Sequence, residues 1–429
     1  VFYIIDEASP ASILIPPEWT LVARDAFNGT VLWKRRMGAW HTHLWPLKSG
    51  PAQLPRRLVA TADRVYVTLG LNAPLTVLDA ATGGTIRTAT GTRATEEILC
   101  SGGALFLLVN ERMQDPTFVS PVDFKHGYAA TLWDEKDRQI VALDAETGRT
   151  RWRKTMTVLP CTLAADANGV YFHDGAGVVC LDRSTGQVRW RSKPVERAEA
   201  IKGFYAPTLL VYDGLVLFSG GETAGGQTGS WYTEGKDTMT ALSAKTGETL
   251  WTAYHPPSGY RSAEDLLVAN GLVWTGETTS GRAVGVFTGR DPYTGEVKSE
   301  FPPDVQTYWF HHRCYRGKAT DDYLLMSRAG IEFIDIHNES WIPHHWVRGA
   351  CLYGVMPANG LIYSPQHPCA CYLESKMYGF NALAPAAPKG FDEPSDEARL
   401  EKGPAYDWTT ERARDKPVDR PPIGGGVAA

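Results

Sequence analysis

No long apolar run occurs in this chain of 429 residues. Its apolar runs, such as residues 1–5 and 209–211, are of strand length and fall far short of the ~20 residues that a membrane-spanning helix needs. An excess of charge is also missing: 43 Lys and Arg stand against 48 Asp and Glu, a net charge of −5. That balance leaves no electrostatic footprint for nucleic acid or an anionic membrane. Cysteine is sparse, seven in all, with no two adjacent. An odd count leaves at least one thiol unpaired within a monomer. No long helix is evident. The opening Val1, Phe2, Tyr3, Ile4 and Ile5 include no Met and no charged leader. The expectation is a processed or trimmed form without its signal peptide.

What is present is turns and aromatics: 42 Gly, 28 Pro, 14 Trp and 18 Tyr. Together they favour an all-β chain. Four segments overlay without gaps, around Asp25, Gly29 and Trp33; Asp144, Gly148 and Trp152; Asp182, Gly186 and Trp190; and Ser243, Gly247 and Trp251. Weaker copies surround Asp79 and Gly83, Asp291 and Gly295, Asp335, and Gly379 with Asn381. Alternating residues before the Asp predict a half-buried strand. The Asp bonds its own turn, and the Gly takes a positive φ that other residues resist. The following strand ends in a Trp that offers a flat surface to the next unit.

Upstream of most marks lies another hairpin, as at Val65 to Thr68, Val170 to Phe172, Leu215 to Phe218 and Leu361 to Tyr363. Four short strands repeated eight times predict an eight-bladed β-propeller of four-stranded antiparallel blades over residues 1–383. Residues 384–429, rich in Pro and charge, read as a C-terminal tail. The longest gaps between marks, Asp79 to Asp144 and Asp182 to Ser243, are expected to carry loops, including an insertion at 113–134 and a Gly-rich loop at 220–230. Both terminal blades look incomplete, and the expectation is that they complete each other.

The pattern Ala142, Asp144, Thr147, Gly148, Trp152, nearly repeated from Ala23 to Trp33 and from Ala241 to Trp251, resembles the tryptophan-docking repeat of PQQ-like β-propellers. The resemblance runs to about residue 383 and implies the fold. It does not imply the cofactor, because the family holds quinoprotein alcohol dehydrogenases and also outer-membrane assembly scaffolds that bind no quinone. Those dehydrogenases carry an adjacent Cys pair, a calcium site and an Asp base. The nearest cysteines here are Cys369 and Cys371, so PQQ-dependent oxidation is the weakest reading.

Six of the eleven His and four of the seven Cys fall between residues 311 and 371. This stretch also resembles uncharacterised PQQ-like repeat proteins of planctomycete bacteria. Three readings stand. In the catalytic one, His311 or His312 is a general base, Tyr315 an acid, and Arg313, Arg316 or Arg348 neutralises a carboxylate, as in lyase or hydrolase chemistry on an acidic carbohydrate. In the metal reading, Cys314, Cys351, His367, Cys369 and Cys371 hold a divalent ion such as zinc. In the structural reading the cysteines are bridges or buried thiols, as expected for Cys100, Cys161 and Cys180. His41 and His43, beside Trp40 and Trp45, form a weaker His-x-His feature. The chain is expected to be periplasmic or extracellular, with a carbohydrate or another protein as partner. An enzyme should gather His311, His312, Arg313, Tyr315, Arg348 and His367 into one pocket. A non-catalytic scaffold should bury them separately.

Overall fold

The computed structural model describes residues 1–9, 15–40, 52–112, 133–199, 201, 206–220, 238–256, 263–276, 285–303, 315–326, 330–365, 377, 379–386 and 395. Eight antiparallel sheets follow one another along the unit Val1–Ala384 and form an eight-bladed β-propeller. The second unit, Pro385–Ala429, falls almost wholly outside the described residues.

The first sheet is β1 (Phe2–Asp6), β2 (Trp19–Arg24) and β3 (Val31–Arg36). The second is β4 (Leu58–Ala60), β5 (Arg64–Thr68), β6 (Leu75–Asp79) and β7 (Thr85–Thr88). The third is β8 (Thr95–Ser101), β9 (Ala104–Val109), β10 (Arg138–Asp144) and β11 (Thr150–Met156). The fourth is β12 (Ala164–Ala165), β13 (Gly169–His173), β14 (Gly177–Asp182) and β15 (Val188–Pro194). The fifth is β16 (Thr208–Tyr212), β17 (Leu215–Ser219), β18 (Thr238–Ser243) and β19 (Thr249–Tyr254). The sixth is β20 (Leu267–Ala269), β21 (Leu272–Gly276), β22 (Phe287–Arg290) and β23 (Val297–Phe301). The seventh is β24 (Lys318–Ala319), β25 (Tyr323–Met326), β26 (Ile331–Asp335) and β27 (Ser340–His344). The eighth is β28 (Met356–Ala358), β29 (Leu361–Ser364) and β30 (Asn381–Leu383).

First strands of successive sheets touch one another: β4 with β8, β8 with β12, β12 with β16, β20 with β24, and β24 with β28. They are therefore the inner strands around the central channel. Most of them are short, β8 excepted, whereas the middle strands carry the buried apolar runs. In β9, Ala104 to Val109 are buried throughout, and in β13 so are Gly169 to His173.

The repeat turns explain how the blades stack. Asp79 Oδ1 accepts from the Thr82 amide and hydroxyl, both at 2.8 Å, and Asp144 and Asp182 do the same with Thr147 and Thr185. The next residue frees its carbonyl for the preceding blade. Trp33 Nε1 donates to Ala80 O at 2.9 Å, Trp152 to Arg183 O at 2.9 Å, Trp190 to Ala244 O at 3.0 Å and Trp251 to Pro292 O at 2.9 Å. Each ring covers the Gly of that same turn. A Cβ on Gly186, at φ +71°, would lie 2.7 Å from the Trp152 ring. Gly is thus required for both its φ and its lack of a side chain.

Two blades use substitutes. Arg87 stands where the second repeat would place its Trp. It lies against Gly148 and donates Nη2 to Ala145 O at 2.8 Å. In the sixth blade that place is Ser299, whose hydroxyl bonds Glu339 at 3.2 Å. Glu339 occupies the turn-Gly position at φ +52°, and with no tryptophan docked above it a side chain is accommodated.

The terminal blades differ from expectation. They remain separate three-stranded sheets among the described residues and do not merge into one blade. Among the described residues the first shows no inner strand and the eighth no outer one. Asn381 opens β30 and pairs with Ser364, whereas the repeat pattern places it at a strand end. The ring closes through side chains: Tyr363 OH donates to Ala26 O at 3.0 Å, and Tyr3 stacks on Phe380 with centroids 5.0 Å apart.

Candidate functional site

The segments that enter the inner strands carry polar residues, and the ring brings them together at one end of the channel. A short 3₁₀ turn, Leu54–Arg57, leads into β4 and supplies Arg56 and Arg57, with Gln53 just before it. β8 supplies Glu97, and the turn before β12 supplies Cys161. Thr208 opens β16, Glu264 and Asp265 precede β20, and Arg316 precedes Lys318 at the start of β24.

Glu97 is fully buried and its oxygens are engaged. Oε1 accepts from Gln53 Nε2 at 2.8 Å and from the Cys161 amide at 2.7 Å. Oε2 lies 2.7 Å from Arg56 Nε. The neighbouring Glu96 turns to the other side, as successive strand residues do, and pairs with Arg138 Nε at 2.8 Å and Asn110 at 3.0 Å. Arg57 is buried, donates to Leu71 O at 2.7 Å and lies over the Trp40 ring. Burial pushes its guanidinium down to about 10. Trp40 in turn donates to Tyr353 OH at 2.8 Å, which ties the first blade to the eighth.

Arg316 reaches from the seventh blade past the sixth to Thr208 of the fifth, Nη2 to Oγ1 at 2.7 Å. It is also within electrostatic reach of Arg56, Glu97, Cys161 and Glu264. One side chain thus senses residues of the second to sixth blades, which places its guanidinium at the hub. Burial lowers the Arg316 pKa. Lys318 is pushed down to about 8 by burial, then by Arg316 beside it. Both residues still keep some accessible surface. Groups enclosed by protein yet open to solvent on one side are channel-lining groups.

His255 and Cys161 are poor candidates for proton transfer or attack. His255 donates Nε2–H to Asp265 O at 2.7 Å, and its Nδ1 faces Glu264 at 3.4 Å. Burial pushes it down to about 4. Cys161 is pushed up to about 12, by burial first and Glu97 second, so it is a thiol and not a nucleophilic thiolate.

Of the residues singled out from the sequence, Tyr315, Arg316, Arg348 and Cys351 lie among the described residues. His311, His312, Arg313, Cys314, His367, Cys369 and Cys371 lie outside them, as do His41, His43, most of the Gly-rich loop, most of the 113–134 insertion and most of the tail. Tyr315 is a buried wedge: a Cβ on Gly349 or Gly354 would lie 2.6 or 2.7 Å from its ring. The loop it supports also carries Arg348 and Cys351, both buried, and the Arg348 carbonyl accepts from Ser364 Oγ at 2.9 Å. Tyr315 and Arg316 therefore part company, one to interblade packing and the other to the hub. Sequence reading missed Arg56, Glu97, Thr208 and Glu264. The available signal was a polar residue recurring just upstream of the inner strands.

No group of three His, Cys, Asp or Glu suited to a metal ion occurs among the described residues. At this end of the channel Arg316 crosses to Thr208 and Arg56 pairs with Glu97.

Residues 136–302 match a family described as outer membrane protein assembly factor BamB. No curated protein matches the chain at a significant level. Among solved structures, BamB from Moraxella catarrhalis is similar at 14% identity and a TM-score of 0.47, over 85% of this chain and 96% of that one. The dihydro-heme d1 dehydrogenase NirN is similar at 12% identity and 0.45, over 76% of this chain but only 63% of NirN. Quinohemoprotein alcohol dehydrogenase from Comamonas testosteroni is similar at 12% and 0.43, over 89% and 75%. Similarity of this degree carries no ligand or partner across.

Proposed function

We propose that this chain, a PQQ-type β-propeller, is an exported, non-catalytic scaffold that binds a protein partner on the outer rim of its first two blades. The observation that carries the reading is apolar surface left in water. Phe27 is 78% exposed, Leu32 55% and Ile86 46%. Leu32 and Ile86 hold the same place in successive repeats, one residue before Trp33 and Arg87. In the third and fourth repeats that place holds Arg151 and Arg189, and it is apolar again in the fifth, at Leu250, 47% exposed, with two blades between it and the Leu32–Ile86 pair. The junction beneath them is rigid: Trp33 covers Gly83, and Arg35 donates to Gly83 O at 2.6 Å and Thr85 Oγ1 at 3.2 Å. A fixed surface with large apolar groups suits protein contact. The match over residues 136–302 to an outer membrane assembly factor supports a protein partner and a periplasmic or extracellular place.

A second reading keeps the carbohydrate. The cations Arg56, Arg316 and Lys318 at the channel suit an acidic sugar, with His311, His312, Arg313, Tyr315 or Arg348 as proposed catalytic residues and Cys314, Cys351, His367, Cys369 and Cys371 as proposed metal ligands. Buried packing of Tyr315 and Arg348 weighs against it.

The test is quantitative co-purification from the cell envelope with the native chain, the double variant Leu32→Glu with Ile86→Glu, and Arg189→Glu as control. The scaffold account expects a partner retained by the native chain and the control and lost by the double variant, with melting temperatures unchanged. Retention of every partner by the double variant overturns it.

A further inference from the structure

Three carboxylates, Glu97, Glu264 and Asp265, share the hub with Arg56, Arg316 and Lys318, but among the described residues none forms an ion pair with Arg316 or Lys318. Glu97 is committed to Arg56, Gln53 and the Cys161 amide. Asp265 Oδ1 accepts from the Gly317 amide at 2.6 Å. The Thr208 hydroxyl gives its proton to Glu264 O at 2.7 Å and serves Arg316 only as acceptor. Arg316 has that single hydrogen bond, and its buried Nε has no acceptor among the described residues. Lys318, next to it, has neither ion pair nor side-chain hydrogen bond among them. An enclosed cation without a partner is costly, and buried polar atoms are nearly always satisfied. Both residues are only partly buried.

We propose that the hub binds one small oxyanion between Arg316 and Lys318, of the size of inorganic phosphate or the carboxylate of an acidic sugar. The guanidinium supplies positive charge on one side, and the ammonium closes the other side as a point charge. Arg56 adds positive charge within electrostatic reach of Arg316, which favours an anion over a cation. This site is independent of the rim surface and is expected in a scaffold as in an enzyme.

The experiment uses the full chain with inorganic phosphate, sodium glucuronate, and glucose and chloride as controls at matched ionic strength. Two quantities are read: the melting temperature, and the rate at which Lys318 is acylated, followed by peptide mass spectrometry. Burial that brings Lys318 down to about 8 makes it reactive at mild pH. At about ten times its Kd, a bound anion should raise the melting temperature by on the order of 1–2 °C and slow acylation about tenfold. Arg316→Gln should remove both effects. The acylation readout on the native chain holds even where that variant folds poorly. The phosphate and glucuronate arms separate the two sources. Melting and acylation no different from chloride in both arms, or an equal response in Arg316→Gln, overturns the proposal.

Discussion

The Tyr363 hydroxyl donates to the Ala26 carbonyl at 3.0 Å, joining the last sheet to the first. Ala26 follows Asp25 as Ala80 follows Asp79, so Tyr363 fills on the closing turn the role that Trp33 fills on the second blade. The latch comes from a middle strand of the eighth blade, β29. Tyr363→Phe should cost about 1 kcal/mol, since it leaves a carbonyl short of its donor. Denaturant midpoints with an unchanged slope check this, and an unchanged midpoint refutes the latch.

Two turn glycines with similar φ separate backbone strain from packing. Gly29, at φ +73°, has nothing within 4 Å of an added Cβ. Gly186, at +71°, has the Trp152 ring at 2.7 Å. Gly29→Ala should cost about 1 kcal/mol from the left-handed backbone alone. Gly186→Ala should cost about 2–4 kcal/mol, because overpacking against Trp152 adds to it. Equal costs would show that the docking contact contributes nothing.

Arg87 stands in for a tryptophan on Gly148 and Ala145. Arg87→Trp should therefore be tolerated and should stabilise by on the order of 1 kcal/mol through added aromatic burial. A loss of stability on the same scale would mean that the third blade's turn is shaped for arginine.

His173 predicts the acid response. It is fully buried, accepts from the Gly175 amide on Nδ1 at 3.0 Å, and places Nε2 3.1 Å from Val195 O. That arrangement suits the neutral ring with its proton on Nε2. Burial pushes the pKa down from 6.5 to about 4. The unfolded chain takes up the proton first, so stability is complete above pH 6.5 and falls as pH drops toward 4. The loss is about 3 kcal/mol for this residue. Urea titrations across that window should show the slope, and His173→Ala should reduce it to the part that His255, shifted in the same sense, supplies, while lowering the plateau at pH 7. An identical pH slope in the variant would contradict the assignment.

The fold was legible because each repeat spells out its own turn and the surface it docks on. Asp144, Thr147, Gly148 and Trp152 are fixed by local hydrogen bonding and by one neighbour, so their spacing survives in the sequence. The hub was not legible. Arg56, Glu264 and Arg316 come from connections and Glu97 and Thr208 from β8 and β16, with no common spacing, and only ring closure brings them together. Enrichment in His and Cys drew attention to residues 308–372. Within that stretch Arg316 does reach the hub, while its neighbour Tyr315 is packing beneath Gly349 and Gly354.

The most direct test of the central claim, that this propeller binds and does not turn over substrate, is an activity measurement on the purified full chain. Uronate polymers would be followed for new reducing ends and unsaturated products, and alcohols for reduction of an artificial electron acceptor. The account predicts no product in any arm. Turnover by the native chain that disappears in Arg316→Gln would contradict it and make the hub an active site.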